Sequence, residues 1–163
     1  NTAEGGFPAP TAEFNRIYIL LHIFRHLFQE GIGLRQLLDY YFVLDYGFSQ
    51  QEKEECTKTL KSLGLIDFAA AVTYILQEKF GLEGEKQLVA PNKRRGEFLL
   101  NEVMTAGNFG KYDKRYSIVP KEKEFAHFLN SMRRTIRLVF QYPNEALWSP
   151  YFKACHYFWR KRH

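Results

Sequence analysis

The sequence predicts an all-α fold, a six- to seven-helix globular domain built around a buried first helix. Three observations lead there. Glycine and proline punctuate the chain at helical lengths, the apolar residues between them recur with a helical rather than a two-residue period, and no segment alternates convincingly as a strand would. No internal repeat is visible.

The elements follow in order. Residues 1–11 carry Gly5, Gly6, Pro8 and Pro10 and read as a linker leading in from a longer parent, with a single helical domain over 12–163. Helical patterning runs over 12–30 and is stopped by Gly31 and Gly33; a second helix covers 34–46 and ends at Gly47. Ser49-Gln50-Gln51-Glu52 has the spacing of a capping box, in which hydroxyl and carboxylate each satisfy a free backbone N–H, so a third helix starts near Gln50 and stops at Gly64. Asp67 is the expected N-cap of a fourth helix ending at Gly81. A polar loop over 82–92 closes at Pro91, and a fifth helix covers 94–106. A loop rich in Gly, Asn, Asp and Tyr spans 107–119. Pro120 opens a long sixth helix to about Gln141, and Ser149-Pro150 caps a last one running towards Arg162.

Composition narrows the function classes. The 163 residues are 45% hydrophobic, 17% aromatic and 25% charged, which is enough to bury a core and unlike a disordered chain. Cys56 and Cys155 are too few for a disulfide framework or a zinc site, which fits a reducing cytosol. The start has neither a basic nor an apolar signal region, and no stretch reaches the roughly 20 apolar residues of a membrane span. A net charge of +5 and a pI near 9.2 are mild. Lys93, Arg94 and Arg95 form one basic cluster and Arg160, Lys161 and Arg162 another. Either would favour a phosphate-bearing ligand, although solvated helix ends are the plainer reading of the second.

The first helix is the informative one. At 100° per residue, Asn15, Tyr18, His22, Arg25, His26 and Gln29 fall within roughly 100° of arc. Ile17, Leu20, Leu21, Ile23, Phe24, Leu27 and Phe28 fill the remainder, and Arg16 alone breaks the apolar side. His22 and His26, four apart, share a face and can reach one metal ion, but no third ligand stands at a diagnostic spacing, so no metal is assigned to this chain. Arg35 and Asp39, also four apart, follow a tight Gly31-Ile32-Gly33 turn that can fold them back against the histidines; the plain alternative is a helix-stabilising pair. In the 107–119 loop, glycines are explained by helix termination, while Asn108, Lys111, Lys114 and Arg115 suit a ligand. Arg133, Arg134 and Arg137 form either a phosphate-facing patch or a solvated face.

The segment His22-Ile23-Phe24-Arg25-His26, followed by Glu30-Gly31-Ile32-Gly33-Leu34-Arg35-Gln36-Leu37-Leu38-Asp39-Tyr40, resembles an uncharacterised bacterial nucleotidyltransferase-like family, often encoded in capsule or exopolysaccharide clusters. Ala106-Gly107-Asn108-Phe109-Gly110-Lys111-Tyr112-Asp113 and the closing stretch with Pro143, Leu147-Trp148-Ser149-Pro150 and Trp159 extend the likeness over nearly the whole chain. The resemblance implies a two-part protein in which this chain is the helical C-terminal part. Its own N-terminal nucleotidyltransferase domain would carry a Gly-Ser turn and an Asp-x-Asp pair holding Mg²⁺ and an NTP. Neither motif occurs here, so the chain by itself lacks the chemistry. The helical part is then expected to wall a nucleotide or sugar-phosphate cleft, with His22, His26, Arg35, Asp39, Asn108 and Arg115 as its binding residues. The alternative is a non-catalytic helical interaction module. Nucleic acid is not the expected partner, because no recognition-helix signature accompanies the charge.

Overall fold

A computed structural model describes residues 10–29, 31–106, 113 and 124–143, with the backbone alone for 124–128. These residues form α1 (Ala12–Gln29), α2 (Leu34–Asp45), α3 (Gln50–Ser62), α4 (Ile66–Phe80), α5 (Lys93–Ala106) and α6 (Glu124–Leu138), with a short 3₁₀ turn over Gly84–Lys86. There is no strand among the described residues, and the all-α expectation holds. The linker over 1–9, the 107–119 loop except Asp113, the first residues of the long sixth helix and the last helix from Pro150 lie outside the described residues.

Local chemistry explains most of the boundaries. Ser49 Oγ accepts from the Glu52 N–H at 3.2 Å while the Glu52 carboxylate accepts from the Ser49 N–H at 2.7 Å, the reciprocal box expected at the start of α3. Asn92 caps α5 by accepting from the Arg95 N–H at 3.1 Å. The expected cap at Asp67 is corrected. Leu65 N–H closes α3 by donating to the Leu60 carbonyl at 2.8 Å, and Leu65 itself is the N-cap of α4, which starts at Ile66. The buried Leu65 side chain fixes the turn by packing, with no side-chain cap. Asp67 falls in the first turn, where it pairs with Arg95 at 3.0 Å.

Buried side chains from all six helices feed one apolar core. α1 packs on α2, α3 and α6, and α4 packs on α5, α2 and α3. Phe24 of α1 meets Phe68 of α4 at 4.7 Å between ring centres, and Tyr142 closes over both rings. The first helix is therefore buried as expected, but over a narrower arc, since Leu21 is exposed. It also shares the centre with α4, whose Phe68, Ala71, Val72, Ile75 and Leu76 are fully buried. A glycine lets α4 and α5 approach closely. A Cβ added at Gly96 would stand 2.6 Å from Tyr74 Cγ and 2.7 Å from Tyr74 Cβ, closer than real side chains allow.

The segment 82–92 is less polar in effect than it reads. Leu82, Leu88 and Val89 are buried, the Thr57 hydroxyl donates to the Leu88 carbonyl at 3.2 Å, and Lys86 reaches Asp45 at 2.6 Å. The Asp45 carboxylate raises the Lys86 ammonium above its ordinary range.

Candidate functional site

The candidate site begins with the exposed edge of α1. Phe14, Tyr18, His22 and His26 recur at four-residue spacing, so successive rings lie one above the other along the helix. Ring centres stand 5.4 Å apart for Phe14–Tyr18, 6.0 Å for Tyr18–His22 and 4.4 Å for His22–His26. The first two contacts are stacked and the third is edge-on. Phe14 is 54% exposed and Tyr18 50%, His22 is exposed and His26 half-buried. The two imidazole Nε2 atoms are 3.1 Å apart, so one N–H donates to the other ring's lone pair. The opposite side of the same turns holds Leu20, Ile23 and Leu27 in the core, which fixes the helix carrying the ladder.

The turn that follows is set by backbone geometry. Gly31 has φ 95°, a left-handed conformation that glycine adopts without strain, and its N–H donates to the His26 carbonyl at 2.8 Å. Ile32 is fully buried and pins the turn, while the Gln36 side chain accepts from the Gly33 N–H at 2.9 Å. The turn lays α2 against α1. Arg35 and Asp39 are exposed on α2. Neither forms a hydrogen bond or ion pair with the other, or with the histidines, among the described residues. The structure thus joins His22 to His26 directly and leaves Arg35 and Asp39 solvated on the neighbouring helix. Asn108 and Arg115 lie outside the described residues.

The most buried cation in the described chain is one that periodicity marks as an intruder. Arg16 is 1% exposed. Its Nη2 donates to the Gly47 carbonyl at 2.6 Å, its Nη1 to Glu52 at 3.0 Å, and its guanidinium carbon lies 5.2 Å from the centre of the Phe48 ring. Arg16 so clamps the α2–α3 turn to α1. The Ser49 backbone N–H, then the Arg16 guanidinium, hold the Glu52 carboxyl down to about 2. Burial pushes the nearby Tyr40 hydroxyl and Cys56 thiol up, the latter partly offset by Arg16. Cys56 is in consequence a poor nucleophile.

The basic groups read as phosphate candidates are largely committed elsewhere. Arg137 binds Glu102 at 2.7 and 2.9 Å, and Arg134 faces Asp113 at 3.9 Å. Arg95 holds Asp67 and the Gln141 carbonyl, and Lys93 approaches Glu97 at 3.9 Å. Arg94 and Arg133 are exposed. Lys93, Arg94 and Arg95 also sit at the N-terminus of α5, the end at which the helix dipole disfavours cations, so the ion pairs offset that position.

Among the described residues no helix is long and apolar enough to cross a membrane. No family model, curated protein or solved structure matches the chain. The likeness to the nucleotidyltransferase-like family accordingly rests on the sequence motifs quoted above.

Proposed function

We propose that this chain is a helical accessory domain of a nucleotidyltransferase-like protein, and that the ladder edge of α1 with the start of α2 forms part of a substrate or nucleotide cleft. The observation that carries the reading is the row formed by the exposed Phe14, Tyr18 and His22 and the half-buried His26 on a helix whose other side is buried. Aromatic faces accept a base or sugar ring by stacking, and imidazole and the uncommitted Arg35 guanidinium donate to phosphate oxygens. Mg²⁺ and the NTP would be held by carboxylates of the N-terminal domain, with Asn108 and Arg115 as further contacts from this chain. A cytoplasmic setting in polysaccharide biosynthesis accompanies the same reading.

The test is made on the protein that includes the upstream domain. Tyr18→Ala and Arg35→Ala should each weaken nucleotide or sugar-phosphate binding at least about fivefold, roughly 1 kcal/mol, with unchanged thermal midpoints. Unchanged binding in both variants, or an upstream sequence without Gly-Ser and Asp-x-Asp, refutes the cleft reading. The second outcome favours a non-catalytic interaction module, which the exposed Phe14, Tyr18, Phe42 and Tyr46 rings also support.

A further inference from the structure

The imidazole pair carries an inference that does not depend on the nucleotidyltransferase reading. Two Zn–N bonds of about 2.0–2.1 Å meeting at a tetrahedral angle place their nitrogens roughly 3.3 Å apart. The Nε2 atoms of His22 and His26 already stand 3.1 Å apart, on one face of a helix and one turn from each other. Small rotations of the two rings and the relocation of one Nε2 proton separate a shared hydrogen bond from a shared ion. We propose that His22 and His26 form a two-imidazole chelate for a borderline divalent transition-metal ion, of which Zn²⁺ is the representative.

The framework suits this role. The backbone spacing is held because Leu20, Ile23 and Leu27, between and beside the two histidines, are 3% exposed or less. His22 faces solvent, so an ion bound there keeps open positions for water or a donor atom of a partner or substrate. On binding, the exposed His22 ring, as donor of the shared hydrogen bond, passes its Nε2 proton through solvent to its own Nδ1, and both Nε2 lone pairs then face the ion. Neutral imidazole selects zinc, nickel and copper over the hard Mg²⁺ ion, which prefers oxygen ligands. No group of three or more His, Cys, Asp or Glu is assembled for a metal among the described residues, which supply two ligands. Arg25, exposed one position before His26, opposes the incoming cation, but solvent screens it.

Titration calorimetry of the 163-residue chain with Zn²⁺ alone tests the site. Binding at one ion per chain is expected, unaffected by Mg²⁺ at physiological concentration. His22→Asn and His26→Asn each keep a hydrogen-bonding side chain but lose the imidazole ligand. Each should weaken Zn²⁺ binding by at least about tenfold, comparable with the 10- to 100-fold that even outer-shell partners command. The combined variant His127→Ala, His156→Ala and His163→Ala should leave that binding in place. Absence of binding to the unaltered chain overturns the proposal. So does binding that survives both asparagine substitutions or disappears only in the triple variant.

Discussion

Replacing Arg16 separates what its charge contributes from what its volume contributes. Arg16→Ala removes a charge-assisted hydrogen bond to the Gly47 carbonyl, a class that contributes about 1.5–3 kcal/mol, and the guanidinium packed over Phe48. It also leaves a cavity where a long side chain was 1% exposed. Working the other way, the alanine protein no longer buries a cation, which itself costs several kcal/mol. Glu52 is not left stranded, because its side chain is 37% exposed and keeps the Ser49 N–H. The loss should therefore fall below the roughly 3–5 kcal/mol usual for breaking a buried pair, at about 2–3 kcal/mol. Arg16→Met retains most of the volume and removes the desolvation along with the charge, so it should lie within about 1 kcal/mol of the unaltered protein. Urea unfolding with both m-values compared is the assay. Equal losses in the two variants would mean that the charge, not the packing, carries the stability. A loss under about 1 kcal/mol for Arg16→Ala would mean that the clamp is not part of the core.

Four further outcomes are expected. Gly96→Ala should destabilise, since overpacking against Tyr74 costs about 1–3 kcal/mol and outweighs the roughly 1 kcal/mol gained in helix propensity; a rise in urea midpoint would refute the close approach. Tyr142→Phe should leave stability unchanged or raise it by about 1 kcal/mol, because the buried hydroxyl has no hydrogen-bond partner among the described residues; a clear loss by chemical denaturation would mean that it has one. Glu52 ionises in the folded chain near 2 against an ordinary 4.5, so its contribution is complete above about 4.5 and is lost as pH falls towards 2. Glu52→Gln should flatten the fall in urea midpoint across that window, and an unchanged slope would count against the box. The 163-residue chain alone should release no pyrophosphate from any NTP with Mg²⁺, and release abolished by a point mutation within it would overturn that expectation.

Local signals carried most of the architecture. The Ser49–Glu52 box, the turn at Gly31 and the end of α4 at Gly81 act within a few residues, so spacing alone reveals them. Asp67 does not cap α4, because a good capping residue is outweighed by a tertiary choice. Burying Leu65 starts α4 two residues early and leaves the carboxylate free to meet Arg95 from α5. Leu82, Leu88 and Val89 were hidden for the same kind of reason: a loop without periodicity has no pattern to show which of its side chains a neighbouring helix will cover. Leu21 reads as core on a helical wheel, yet whether a given sector is covered depends on how the neighbouring helices cross, which the wheel does not contain.

The same distinction applies to the polar residues. Arg16 and Glu52 were each visible, one as a cation on an apolar face and the other as a capping carboxylate, but their meeting across 36 positions is a property of the fold. A cation inside an apolar arc nonetheless carries a physical demand, since it can be buried only with acceptors brought to it. The Gly47 carbonyl and Glu52 answer that demand, which places the end of α2 beside the first turn of α1. His22 and His26 pose the opposite case. Their four-residue spacing makes the contact nearly independent of the rest of the fold, and it extends, by the same rule, to the Tyr18 ring of the polar stripe and on to the Phe14 ring, which lies outside that set. Arg35 and Asp39 share that spacing without forming a pair, because both are solvated and the few tenths of a kcal/mol available to an exposed ion pair do not hold two long side chains together. At this edge of the molecule, then, ring stacking organises the surface where charge does not, and a ligand or partner suited to it would engage the rings first.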